Sequence, residues 1–129
     1  NERLAARTRH VVSEIARTRA FIELLDEGPL EGTRLAVAGA LLNDSHDSLR
    51  DDYEVSCEEL DVAVEASRAA GAHGARMTGG GFGGSAIALV DAHAVEDVAR
   101  AVAAAYAERG WEPPHFIRSL PGAPAGRLD

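Results

Sequence analysis

Apolar residues recur at three- and four-residue steps between residues 4 and 25, where Leu4, Val11, Val12, Ile15, Ile22 and Leu25 are separated by Glu and Arg. That spacing predicts an amphipathic helix with one stripe turned toward a core. Gly28 and Pro29 end it. A second helix is predicted over about residues 30–49 on Leu35, Leu41, Leu42 and Leu49, although Gly32 and Gly39 count against it. Ser56 followed three residues later by Glu59 has the form of a capping box. It predicts the start of a third helix that turns Leu60, Ala63 and Val64 inward and stops at Gly71.

The period then changes. Residues 75–78 read as a short extended segment, a glycine run follows, and Ala86, Ile87, Ala88, Leu89 and Val90 form a continuous apolar run of strand length. The two segments are placed to pair across the glycines. Val95, Val98, Ala99, Val102 and Tyr106 predict a fourth helix closing at Gly110, and Pro113 and Pro114 reset the chain. Residues 115–120 read as another strand, and the tail, with Pro121, Gly122, Pro124 and Gly126, as turns ending in a short edge strand. Helices followed by β, β, α, β predict the α+β class: an antiparallel sheet backed by helices, with further helices N-terminal to it. No internal repeat or low-complexity linker divides the chain, so residues 1–129 are expected to form one domain.

Composition narrows the function. The chain has 129 residues, 46% of them hydrophobic, enough for one core. Thirteen basic against 21 acidic residues give a net charge of −8. Such a surface repels phosphate backbones and anionic lipid, so neither nucleic acid nor membrane is expected as a partner. Every basic side chain except histidine is Arg, which excludes a P-loop lysine and Schiff-base chemistry. One cysteine, Cys57, forms no internal disulfide. With no apolar span of membrane length and no signal-peptide core, a cytoplasmic location is expected. The five histidines lack metal-ligand spacing, so no metal site is expected.

The segment carrying most chemistry is GARMTGGGFGGS, in which Gly79, Gly80, Gly81, Gly83 and Gly84 surround Phe82. Glycine at this density permits positive φ and close approach of backbone N–H groups to an anion. A tight turn between two strands is the plain alternative. Gly79, Gly81 and Gly84 satisfy G-x-G-x-x-G, but a strand follows where a dinucleotide fingerprint requires a helix. A Walker A loop fails for want of Lys. Arg76 has the charge to approach a phosphate and equally to pair with Asp or Glu, while Met77 and Phe82 read as packing residues at the loop base.

A second segment, SLRDDYEVSCEELD from Ser48 to Asp61, crowds Arg50, Asp51, Asp52, Tyr53 and Glu54 between two predicted helices. Its plain reading is a solvated corner with an Arg50 ion pair of little worth. Ser45 and His46 precede it, and His46 reads as a satisfied histidine at a helix end. Cys57, at a helix start, reads either as a thiol of lowered pKa or as a structural one.

Taken together, in this order and spacing, DDYEVS and RMTGGGFGG are similar to the C-terminal segment of galactokinases in the GHMP small-molecule kinase family. Glu58 stands where that family usually has Pro, and Ser85 where it commonly has Cys. The resemblance implies a ferredoxin-like α+β C-terminal domain of an enzyme that transfers the γ-phosphoryl of ATP, with Mg²⁺, to the anomeric hydroxyl of galactose. It also implies that the catalytic groups lie in an N-terminal half whose strings are absent here. That half would be the partner, and galactose and ATP would be met only through the complete enzyme. The glycine loop would lie near the phosphates, no catalytic residue is expected in this chain, and no cofactor is expected to bind it tightly. Another GHMP sugar kinase and a stand-alone ferredoxin-like binding module are the alternatives.

Overall fold

The structure, a computed structural model, describes residues 1–128. Helix α1 spans Glu2–Asp26, and its first turn is closed by Asn1, whose Oδ1 accepts from the N–H groups of Arg3 (2.9 Å) and Leu4 (3.3 Å). Helix α2, Gly32–Ser48, follows after the Gly28-Pro29 break. Its Arg34 closes the far end of α1 by donating to the carbonyls of Leu24, Gly28 and Pro29. Helix α2 then runs directly into a π-helical turn, Leu49–Tyr53, which ends on Glu54 in the left-handed region at φ 61°.

Helix α3, Glu58–Ala69, leads into the hairpin of β1, Gly74–Thr78, and β2, Ser85–Leu89. The strands are antiparallel, with Gly74 opposite Leu89 and Thr78 opposite Ser85. A 3₁₀ turn, Ala92–Ala94, precedes helix α4, Val95–Glu108, which packs on α3. Strand β1 lies against α2 and α3, while most of β2 is exposed. This is the expected α+β arrangement of an antiparallel sheet backed by helices.

Two small cores hold it. Leu49, Leu60 and Met77 pack together with Val55 and Cys57 beneath the hairpin, and Val62, Val102 and Tyr106 pack between α3 and α4 with Trp111 at the edge. The Tyr106 hydroxyl donates to the Glu59 carbonyl at 2.6 Å, which satisfies its one polar atom. Gly39, which counted against a helix, is where α2 crosses β1: a Cβ there would lie 2.0 Å from the His73 carbonyl oxygen. Only glycine fits that crossing.

Four expectations are corrected. Residues 115–120 are not a strand: Ile117 is 79% and Leu120 83% exposed, because a strand needs an edge to bond to and the segment meets none. The edge strand expected near the terminus is also absent among the described residues. The capping box at Ser56 and Glu59 is not formed: Cys57 is the N-cap without a side-chain bond, and Ser56 Oγ donates to Asp61 Oδ1 at 2.6 Å instead. The apolar stripe of α1 is exposed, with Val11, Val12, Ile15 and Ile22 all about half or more accessible, while His10 and Leu24 are buried.

Candidate functional site

The glycine run forms the connection between β1 and β2. Gly79, Gly81, Gly83 and Gly84 all have positive φ, and so does Phe82 at 60°. That conformation suits glycine and strains a bulky residue, so Phe82 must be held by something outside itself. Its N–H donates to the Val55 carbonyl at 2.7 Å. Gly81 passes so close to the same carbonyl that a Cβ would lie 2.3 Å from it. The Phe82 ring does not pack at the loop base as expected: it is 73% exposed, because the left-handed backbone turns it outward. Met77 does pack there, at 1% exposure.

Val55 is positioned by the turn before it. Its N–H donates to the Leu49 carbonyl at 3.0 Å across the π-helical turn. The DDYEVS and GGGFGG strings, well separated in sequence, therefore meet at Val55. The acidic turn is an exposed corner, as expected, and it is also tied to α1. Arg7 donates to the Asp52 carbonyl and to Glu54 at 2.8 Å, and Arg9 to Asp52 Oδ1. The hydrogen bond from Arg9 holds the Asp52 carboxyl below its usual pKa, and that from Arg7 does the same for Glu54. Arg50 pairs with Asp51 at 2.8 Å, which lowers the Asp51 pKa and raises that of Arg50. His10, buried between the helix and the turn, stacks on Tyr53 at 4.8 Å and hydrogen-bonds Ser48 Oγ at 2.9 Å.

Beneath the loop lies an arrangement the sequence did not reveal. His46 is fully buried, its Nδ1 accepts the Met77 N–H at 3.0 Å, and its Nε2 contacts Asp61 Oδ1 at 2.8 Å. The hint was the Ser45-His46 string preceding DDYEVS; the partners Met77 and Asp61 lie too far along the chain for spacing to show them. Cys57 packs, half-buried, against Leu49, Leu60 and Met77, which is the structural reading of that thiol.

Arg76 forms no ion pair with a carboxylate among the described residues; its Nε donates to the Met77 carbonyl at 2.7 Å. Among those residues Phe82 is also the loop residue whose N–H is used internally, so the N–H groups of Gly80, Gly81 and Gly83 point to no acceptor of this chain. The arrangement offers backbone donors and one guanidinium, the equipment for meeting an anion. Surface depressions run along α1 instead, one lined by His10, Val11, Ile15 and Tyr53. No helix is long and apolar enough to cross a membrane among the described residues.

The family described as GHMP kinases C terminal matches residues 21–108, and the chain belongs to it. It is 48% identical to the galactokinase of Streptomyces coelicolor over 120 residues, covering 93% of this chain and 30% of that protein. Among solved structures it is similar to Lactococcus lactis galactokinase complexed with galactose, with TM-score 0.77, 46% identity and coverage of 87% of this chain and 28% of that one. Similarity extends to L. major mevalonate kinase in complex with R-mevalonate, with TM-score 0.60, 32% identity and coverage of 69% and 26%. The chain thus spans about 30% of the length of the galactokinase it matches.

Proposed function

We propose that this chain is the C-terminal part of a galactokinase that phosphorylates the anomeric hydroxyl of galactose, and that Gly79, Gly80, Gly81, Phe82, Gly83 and Gly84 border the phosphates. The observation that carries this reading is the meeting of the two galactokinase-like strings at Val55, where one holds the other in a strained, donor-rich conformation. ATP supplies the phosphoryl group and Mg²⁺ neutralises its charge when they are bound. The part played by this chain is orientation: the free N–H groups of Gly80, Gly81 and Gly83, with Arg76, whose Nε donates to the Met77 carbonyl and which pairs with no carboxylate among the described residues, fit an anion of that kind. The acidic turn at Asp51 and Asp52 is neutralised by arginines of this chain and contributes no catalytic carboxylate.

The remaining part of the kinase is the partner in this reading and carries the reacting groups. Alone, the chain is expected to form no galactose phosphate from ATP, Mg²⁺ and galactose. Mixed with a galactokinase N-terminal part, it is expected to restore some activity. Recovery is partial, because joining two chains costs at least about 4 kcal/mol of translational and rotational freedom that a covalent link avoids. Product from the chain alone, or no binding and no product in the mixture, contradicts the reading. The likeness to mevalonate kinase favours a second one, in which another GHMP substrate is phosphorylated. Assaying galactose beside mevalonate separates the two.

A further inference from the structure

His46 joins α2, α3 and β1 at one point, as Arg68 of α3 does further along the same seam through Asp47, Asn43 and Ala75. His46 belongs to α2, accepts from Met77 N–H of β1 and contacts Asp61 of α3, and it has no exposed surface. A backbone N–H can only donate, so Nδ1 must carry its lone pair. The proton then sits on Nε2, which donates to Asp61 Oδ1. Ser56 Oγ donates to that same oxygen at 2.6 Å, so the carboxylate fixes together the ring and the segment that follows Val55. Two hydrogen bonds therefore run from this cluster to the two ends of the loop's support: Met77 on β1, immediately before Thr78 and the glycines, and Ser56, immediately after Val55.

We propose that His46 is the positioning residue of the glycine loop, holding it in place as a neutral imidazole and releasing it when the ring takes up a proton. A proton on Nδ1 would face the Met77 N–H at 3.0 Å with two donors and no acceptor, so β1 would lose its anchor at Met77, the one nearest the glycines, and keep those at Ala75. The charged groups facing the ring are Asp61 and Arg68 of α3 and Arg50 and Asp51 of the π-helical turn, while β1 presents the Met77 N–H. Burial pushes the His46 pKa below its ordinary 6.5, against the opposing pull of Asp61. The unfolded chain therefore binds the extra proton first as pH falls, so the anchoring is fully present above pH 6.5 and is lost through the lowered value.

Positioning of the loop stands on this chain alone; its consequence for phosphoryl transfer rests on the galactokinase reading. Two substitutions divide the ring between its nitrogens. His46→Asn keeps an acceptor where Nδ1 stands and gives up Asp61, whereas His46→Gln reaches Asp61 and leaves Met77 N–H unpaired. Amide hydrogen exchange at Met77 and Phe82 is the readout, with the ¹⁵N resonances of the His46 ring recorded in the wild-type chain. The expected result is exchange faster by about tenfold or more in His46→Gln than in His46→Asn. In the wild type, Nδ1 should resonate as an unprotonated nitrogen near neutral pH, and exchange at both amides, corrected for its intrinsic rate, should accelerate as the ring titrates. Equal exchange in the two variants overturns the proposal, as does a protonated Nδ1 at neutral pH. If a variant fails to fold, the wild-type titration decides by itself. In a galactokinase carrying this chain, the acid limb of the kcat/KM profile should move in His46→Asn. Should that enzyme be inactive as wild type, the galactokinase reading fails and the exchange result still judges His46.

Discussion

Gly80 and Gly81 are neighbours in the loop, yet a Cβ on Gly81 would lie 2.3 Å from the Val55 carbonyl oxygen at φ 89°, and one on Gly80 meets nothing within 4 Å. Gly81→Ala is therefore expected to destabilise the chain by about 1–3 kcal/mol, through strain and loss of contact with Val55. Gly80→Ala should stay within about 0.5 kcal/mol of the wild type. Urea unfolding of the two variants checks this, and equal stabilities would show that the loop does not rest on Val55. The sequence marked these glycines as a group and could not separate them, because their difference is a contact with residue 55. Met77 was legible as packing from its place in a strand beside the loop. Phe82 was misread for a physical reason: hydrophobicity reports what a side chain favours, while a φ of 60° decides where it points.

At the scale of elements, the four helices and the hairpin follow the periodicities read from the sequence, and the misreadings cluster where a partner was needed. Helix α1 shows its apolar stripe in the sequence, but Val12 is 65% exposed because no element among the described residues covers that face. In the proposed function the face has the remaining part of the kinase for company, and the isolated chain should associate with itself through it. Val12→Glu should reduce that association in sedimentation measurements; an unchanged or monomeric profile for both proteins would mean the stripe is not a contact surface. Gly39 was read as a weak point of α2 and is its tightest contact. Replacing a helix glycine by Ala ordinarily stabilises by about 1 kcal/mol. Here the added Cβ would press on the His73 carbonyl, so Gly39→Ala should destabilise by about 1–3 kcal/mol, with thermal unfolding giving the sign. A more stable variant would show that α2 and β1 have room to part.

For the molecule as a whole, motif order pointed to the galactokinase resemblance, and the contact between the motifs gives it a physical basis. What no spacing could reveal was the buried bracing by His46 of α2, whose partners come from two other elements, Asp61 of α3 and Met77 of β1. The most direct test of the account is a chimera: this chain in place of the matching C-terminal segment of Streptomyces coelicolor galactokinase, with galactose phosphate formation measured with ATP and Mg²⁺. The account predicts that the chimera phosphorylates galactose and that Gly81→Val within it abolishes turnover while the protein stays folded by circular dichroism. A folded chimera without activity, or one in which Gly81→Val turns over like its parent, would contradict it.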